Sequence, residues 1–284
     1  MDNKELFFSI IIPTLNEESF LPKLLTALEL QKNKNFEVII VDGDSKDETI
    51  KVAKSIIVHY PIKFEICSKK NISYQRNFGA KLAQGKYLIF LDADSYISPT
   101  FTKIAQSYIQ KYPGLIYLPY MYPEEKNLYP DMKLIFSVLN ELVDLSQNLS
   151  QPFSAGGNMI WEKTFFLTIG GFDEKILITE DHAIVRKAKN WGVRARLIKS
   201  VRIRMSLRRL KREGRLKLFY KVIISHLYLL FNPQIKKKLI EYETGGHLYG
   251  KKQKSPQINE TDVKQQVKKI AKSVRKFYTE MLKE

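Results

Sequence analysis

Within the first 120 residues, short apolar runs alternate with segments of helical period, and no other feature restricts the fold as much. The runs are Phe7 to Ile12, Phe36 to Val41, Ile62 to Ile66, Tyr87 to Leu91 and Leu115 to Leu118. They read as parallel strands apolar on both faces, as strands buried between helix layers are. Between them, Glu18 to Leu30, Lys46 to Val58, Tyr74 to Gln84 and Thr100 to Lys111 carry apolar residues at three- and four-residue spacing. Ser45 and Ser73 are candidate N-caps, and Gly85 and Gly114 candidate stops. The alternation predicts an α/β fold with a mostly parallel sheet flanked by helices.

The pattern then changes. A Pro- and Tyr-rich stretch from Pro119 to Pro130 reads as a loop, and Asp131 to Leu149 as an amphipathic helix with Ile135, Leu139, Leu142 and Val143 on its apolar face. After Gly156-Gly157 come a short strand, Asn158 to Trp161, a helix from Lys163, the turn Gly170-Gly171, a helix from Asp181 to Trp191 and a strand from Val193 to Ile198. The expected organisation is a body over 1–200 (halves of about 1–120 and 121–200), a basic amphipathic helical extension over 201–250, and a linker with a C-terminal amphipathic helix over 251–284. Val263, Val267, Ile270, Val274, Phe277 and Met281 form a heptad seam there, which either docks on its own domain or serves self-association.

At 284 residues, 44% hydrophobic and 12% aromatic, the chain can bury a core, and disorder and low complexity are excluded. A single cysteine, Cys67, rules out an internal disulfide and a CxxC zinc cluster and fits a reducing, cytoplasmic setting. Val222 to Phe231 is too short to span a bilayer, and the N-terminal apolar run stops at Pro13 without the charge or length of a signal peptide. Charge is concentrated: Arg186 to Lys238 holds 18 Lys and Arg against one acid, Glu213, a surplus equal to the +17 of the whole chain.

Acidic clusters follow three of the strands, where open α/β sheets bind ligands. The first strand leads into Pro13-Thr14-Leu15-Asn16-Glu17-Glu18, the second into Asp42-Gly43-Asp44-Ser45, the fourth into Asp92-Ala93-Asp94. Two carboxylates at a strand end suit Mg²⁺ or Mn²⁺, which take oxygen ligands and leave coordination sites for a diphosphate; they equally suit a tight turn. Asp42 is placed to accept from a ribose or base, or merely to cap a helix. Glu180-Asp181 at a helix start is an ordinary capping preference, and also a place for a carboxylate that takes a proton from an acceptor hydroxyl. No Gly-x-Gly-x-x-Gly or Walker A motif is present, which disfavours nicotinamide and P-loop chemistry. His182 reads as a helical surface histidine, with a third metal ligand as the sharper alternative. Cys67 reads as a small buried hydrophobe.

In order and spacing, these segments resemble family 2 glycosyltransferases. Pro13 to Glu18 and Val41 to Thr49 are similar to the family's nucleotide-binding opening. Arg76-Asn77-Phe78-Gly79-Ala80 and Gly85 to Asp94 are similar to its arginine helix and Asp-x-Asp motif. Gly170 to Glu174 with Glu180-Asp181 is similar to its acceptor-side signature and acid pair. The resemblance spans roughly residues 7 to 215. It implies the GT-A fold, a nucleotide-diphosphate sugar donor, an inverting single displacement and a divalent metal, Mg²⁺ or Mn²⁺. Pro13, Thr14, Asn16, Glu17, Asp42, Asp44, Arg76, Asp92 and Ala93 would line the nucleotide-sugar site, and Asp94 with Asp92 would hold the metal. Asp181 would be the general base with Glu180 in support. Gly156 and Gly157 would admit the acceptor. Many members have Asp-Asp-Gly-Ser where this chain has Asp42-Gly43-Asp44-Ser45. The Gln-x-x-Arg-Trp of processive synthases is missing, and Ser206-Leu207-Arg208-Arg209 resembles non-processive members, which implies single-sugar transfer with Arg208 and Arg209 near the diphosphate or an anionic acceptor.

From Lys199 to Lys221 the charges alternate with apolar residues, an interfacial composition suited to an anionic membrane surface and to a lipid-linked acceptor. A core-packed helix with a solvated basic face is the plainer reading. Nucleic-acid binding fits the charge but leaves the acidic clusters unexplained, so no nucleic-acid partner is expected.

Overall fold

The computed structural model describes residues 6–123, 130–176 and 179–205. Among these described residues, eight strands form one sheet in the order β3-β2-β1-β4-β7-β6-β8-β5. The strands are β1 (Phe8–Thr14), β2 (Phe36–Asp42), β3 (Ile62–Ile66), β4 (Tyr87–Phe90), β5 (Tyr96–Ile97), β6 (Ile116–Pro123), β7 (Met159–Glu162) and β8 (Arg196–Met205). Helices α1 (Leu21–Glu29), α2 (Thr49–Lys54), α3 (Ile72–Leu82), α4 (Phe101–Lys111), α5 (Pro130–Ser146), α6 (Lys163–Thr168) and α7 (Glu180–Asn190) connect them.

The first four strands pair in parallel, with β1 central and Thr14 opposite Asp42. Every residue of β1 and β2 is buried. The third run departs from the expectation of two apolar faces: Lys63 and Glu65 alternate with its apolar residues because β3 is the sheet edge, where one side meets water. β7 enters antiparallel between β4 and β6, and β8 pairs in parallel with β6. Buried Ile10, Ile12, Val38, Ile40, Ile89, Leu91, Tyr117, Ile160 and Ile203 join α1 and α4 in one core.

Several element boundaries differ from the sequence reading, each for a hydrogen-bonding reason. The segment Lys46 to Glu48 does not begin a helix, because Lys46 N donates to Asn16 Oδ1 and Glu48 N to Glu18 Oε2. Ser45 caps nothing; its hydroxyl donates to Asp42 Oδ2. Asn71, not Ser73, caps α3 by accepting from Tyr74 N at 2.9 Å. Pro119 to Pro123, read as loop, continues β6 beside β8. The part of the basic segment from Lys199 to Met205 is strand, not helix: Val201 and Ile203 point into the core while Lys199 and Arg202 face solvent. Residues 206–284, and with them Arg208, Arg209, most of the basic extension and the heptad seam, lie outside the described residues.

Candidate active site

Parallel strands bring β1, β2 and β4 to a common edge, and the loops beyond that edge hold the acidic motifs. At β1 and β2, Thr14 Oγ1 donates to Asp42 Oδ2 at 2.7 Å, and Ser45 donates through N to Oδ1 (2.7 Å) and through Oγ to Oδ2 (2.6 Å). Asp42 is 1% exposed. The two loops are laced further: Asn16 N donates to Ser45 Oγ and Glu17 N to Thr49 Oγ1, both at 2.8 Å. Pro13 pairs across with Val41, and Glu17 is buried.

The exchanged order Gly43-Asp44 has a local cause. A Cβ at Gly43 would lie 3.2 Å from Gln75 Nε2, the amide that ties the strand ends by donating to Thr14 O (2.8 Å) and Val41 O (2.7 Å). Asp44 takes a left-handed φ of 63°, which Asp tolerates better than most residues, and its half-exposed carboxylate pairs with Lys46 at 2.7 Å. Lys46 holds the Asp44 carboxyl below its usual range.

At β4 the chain turns sharply, Ser95 N donating to Asp92 O, before it crosses to pair β5 with β8. Asn158, at the start of β7, fixes this turn by accepting from Asp92 N and Ser95 Oγ, each at 3.0 Å. Ala93 is buried, while Asp92 and Asp94 are part-exposed. Among the described residues, no group of three or more His, Cys, Asp or Glu is placed to hold a metal. By donor chemistry the part-exposed carboxylates of Asp92 and Asp94 nevertheless fit Mg²⁺ or Mn²⁺, which take oxygen ligands and retain water and substrate oxygens, and do not fit a closed structural zinc site.

Arg76, on α3, lies between the two acidic clusters. It is 1% exposed and donates from Nη2 to Asp92 Oδ1 (2.8 Å) and from Nη1 to Glu180 Oε1 (2.9 Å). Its guanidinium stands 5.3 Å from the centre of the Phe172 ring. Burial would press its pKa down, but the two carboxylates outweigh it and hold the pKa above the ordinary value. Glu180 is shifted up, chiefly because it is buried and also because Asp181 is adjacent, with Arg76 opposing. A Cβ on Gly157 would come within 1.9 Å of Arg76 Nη2. Gly157 is therefore a notch for the guanidinium, while Gly156, at φ 134°, has open space where a Cβ would stand.

Asp181 Oδ2 accepts from Ser154 Oγ at 2.9 Å. His182 is 6% exposed rather than a surface residue, and its Nδ1 accepts from Ser154 N at 3.0 Å. An Nδ1 that accepts an N–H carries no proton, which makes His182 a neutral support of the 154–157 loop. Thr179, before α7, has a left-handed φ of 69°, rare for a β-branched residue and a form of strain that clusters at functional sites.

The turn at Gly170-Gly171 docks on α3. Asn77 accepts from Phe172 N and donates to Phe172 O, both at 2.9 Å, and a Cβ at Gly171 would meet Asn77 Oδ1 at 2.4 Å. Asn71 Nδ2 donates to Glu174 O at 2.9 Å. Sequence reasoning gave no role to Gln75, Ser154 or Asn158, and named Asn77 only within the arginine motif. The signal for Gln75 and Asn77 was faint: consecutive polar residues, Gln75-Arg76-Asn77, on a helix that should bury a face.

A doubly covered sheet with acids at the ends of β1, β2 and β4 and a buried arginine between them defines a nucleotide-sugar transferase scaffold of the GT-A type. The model of glycosyl transferase family 2 matches residues 9–170, and the chain belongs to that family. An uncharacterized glycosyltransferase of Haemophilus influenzae is 27% identical over 187 residues, 63% of this chain and 60% of that one. The poly(ribitol-phosphate) beta-N-acetylglucosaminyltransferase TarS of Staphylococcus aureus is 30% identical over 109 residues, 37% of this chain and 19% of its own. The chain thus spans less than two thirds of the length of these curated relatives. Among solved structures, residues 1–349 of S. aureus TarS with UDP-GlcNAc give a TM-score of 0.58 at 22% identity, covering 78% of this chain and 66% of that one. The mannosyltransferase PcManGT of Pyrobaculum calidifontis with GDP-Man and Mn²⁺ gives 0.58 at 16% identity, covering 77% and 64%. At these identities they show the shared fold.

Proposed function

We propose that this chain transfers a single sugar from a nucleotide-diphosphate sugar to an acceptor hydroxyl by an inverting, metal-dependent displacement. We place the reaction in cell-envelope glycan or glycolipid synthesis, on the cytoplasmic side and peripheral to the membrane. The observation that carries this reading is the Arg76 bridge, which joins the carboxylate of the Asp-x-Asp turn to that of the Glu180-Asp181 pair. In this reading the donor-side and acceptor-side acids face one reacting centre. Relatives of the same fold bound to UDP-GlcNAc and to GDP-Man with Mn²⁺ support the donor class.

In this reading Asp181 takes the proton of the acceptor hydroxyl as its oxygen bonds to the anomeric carbon from the face opposite the donor diphosphate. The bond from that carbon to the diphosphate oxygen breaks, and the nucleoside diphosphate leaves with the electron pair. Ser154 orients the Asp181 carboxylate. Asp92 and Asp94 would hold Mg²⁺ or Mn²⁺, which when bound neutralises charge growing on the leaving diphosphate. Pro13, Thr14, Asn16, Glu17, Asp42 and Asp44 line the nucleotide end, and Arg208 and Arg209 are assigned to the diphosphate or an anionic acceptor.

Thermal unfolding against a panel of nucleoside diphosphates and nucleotide-sugars, with Mn²⁺ or with chelator, tests the reading. Ligand bound to the folded state raises the midpoint by mass action. A metal-dependent rise with one nucleotide-sugar is expected; no response to any of them sinks the proposal.

A further inference from the structure

The outward face of α5 carries an apolar stripe that stays exposed among the described residues. Val138 (49% exposed), Leu142 (47%), Leu145 (64%) and Leu149 (50%), the last just beyond the helix, recur at spacings of four, three and four. They fall within one narrow sector of the helix, opposite the buried Asn140, Val143 and Gln147. Large aliphatic side chains half exposed along three turns form a continuous surface rather than the scattered apolar residues that any protein shows.

Cations border the stripe. Lys189 donates to Gln147 O and Arg194 to Asn148 Oδ1, which sets both beside the end of α5. Arg196 donates to Tyr112 O, and Lys199 pairs with Glu141 one residue from Leu142. Arg194 and Arg196 line an open cleft of about 540 Å³ with Gln147, Asn148 and the single carboxylate of Asp144. Trp191, 59% exposed, precedes Gly192 in the wall of that cleft. Aliphatic side chains, an exposed indole and a rim of Lys and Arg are what an interfacial helix presents to anionic lipid headgroups.

We propose that this face, α5 with the α7–β8 turn, is the surface by which the protein lies on an anionic phospholipid bilayer. The stripe enters the acyl boundary, and headgroup phosphates meet Arg194 and Arg196 at the cleft. The charge favours lipid over a second copy of the chain, because two such basic rims would repel across a two-fold axis. Four half-exposed aliphatic residues also fall short of the ~800 Å² per partner that a stable protein interface needs. The inference deepens the peripheral location proposed above by naming the contact face, and its test does not use the transfer reaction.

The chain supplies its own probe. It has two tryptophans, of which Trp161 is fully buried and Trp191 exposed. Adding vesicles of phosphatidylcholine with phosphatidylglycerol to the full chain is expected to shift tryptophan emission to the blue; pure phosphatidylcholine, high salt or Trp191→Phe is expected to abolish the shift. L142S/L145S leaves net charge unchanged, so the general attraction of the basic chain to the vesicle persists, and co-sedimentation is expected to weaken by about tenfold. Nucleotide-sugar stabilisation of the same variant should remain, which separates this test from that of the transfer reaction. Vesicle affinity unaffected by L142S/L145S overturns the proposal. So does a dimer in light scattering that the same double variant converts to monomer.

Discussion

Arg76 pairs with Asp92 and with Glu180 and lies over the ring of Phe172 at once, so its surroundings are unforgiving. Removing one member of a buried ion pair leaves an uncompensated charge, at a cost of about 3–5 kcal/mol. Gly157→Ala reaches the same group from outside: the new methyl meets Nη2, and either the guanidinium or the 154–157 loop must move. We expect a loss of about 1–3 kcal/mol from such overpacking, read as a lower midpoint in urea. An unchanged midpoint would mean that Arg76 sits elsewhere in solution. Asp181→Asn keeps the shape and removes the proposed base. Transfer should fall by about 10²–10⁴-fold while donor-induced stabilisation persists, and near-normal turnover would assign the proton to another group.

Helix α3 organises the site at the scale of elements. Three consecutive residues, which point in different directions around the helix, reach three places: Gln75 the ends of β1 and β2, Arg76 the two acidic motifs and Asn77 the turn before α7. The turn at Gly170-Gly171, read from sequence as an acceptor-side signature, is thus also a docking element. Asn77→Ala removes the groups that satisfy Phe172 N and Phe172 O, at a cost of about 1–3 kcal/mol. Because that turn leads to Glu180 and Asp181, the variant should lose turnover more than donor affinity. Steady-state kinetics check this, and a purely KM effect would contradict it. Much of this helix was legible: its period and its arginine were read from the sequence, although its span, read as Tyr74 to Gln84, lies two residues earlier, at Ile72–Leu82. The cap was misassigned because Asn71 and Ser73 are both reasonable N-caps, and only the extended backbone at Asn71 distinguishes them.

For the whole molecule, acid stability and metal dependence are the quantities to measure. Glu29, at the end of α1, accepts hydrogen bonds from Lys34 and from His59 N, which lower its carboxyl from 4.5 to about 2. A depressed folded-state pKa favours folding above about pH 4.5, and that contribution is lost as pH falls toward 2. Glu29→Gln should therefore flatten the acid limb of the stability curve between those values and change little below it; an identical limb would show that the pairing is lost to solvent. Asp94→Ala should weaken donor-induced stabilisation only when Mn²⁺ or Mg²⁺ is present. An equal loss in chelator would point to direct donor contact instead.

The α/β class, the parallel start of the sheet and the acids that end β1, β2 and β4 follow from the sequence by itself. These are local matters: the period of apolar residues and the chemistry of strand ends are written over short stretches. The order of strands was decided only in three dimensions, since β7 must run antiparallel between β4 and β6 to carry Asn158 to the Asp-x-Asp turn. So was the division of labour between neighbours, with Gly157 given to Arg76 and Gly156 left open. The buried state of His182 belongs there too, set by a loop 28 residues away. Such facts depend on which surfaces meet across long sequence separations. No local pattern carries them, because a side chain's partner is chosen by packing and by the need to satisfy every buried polar group.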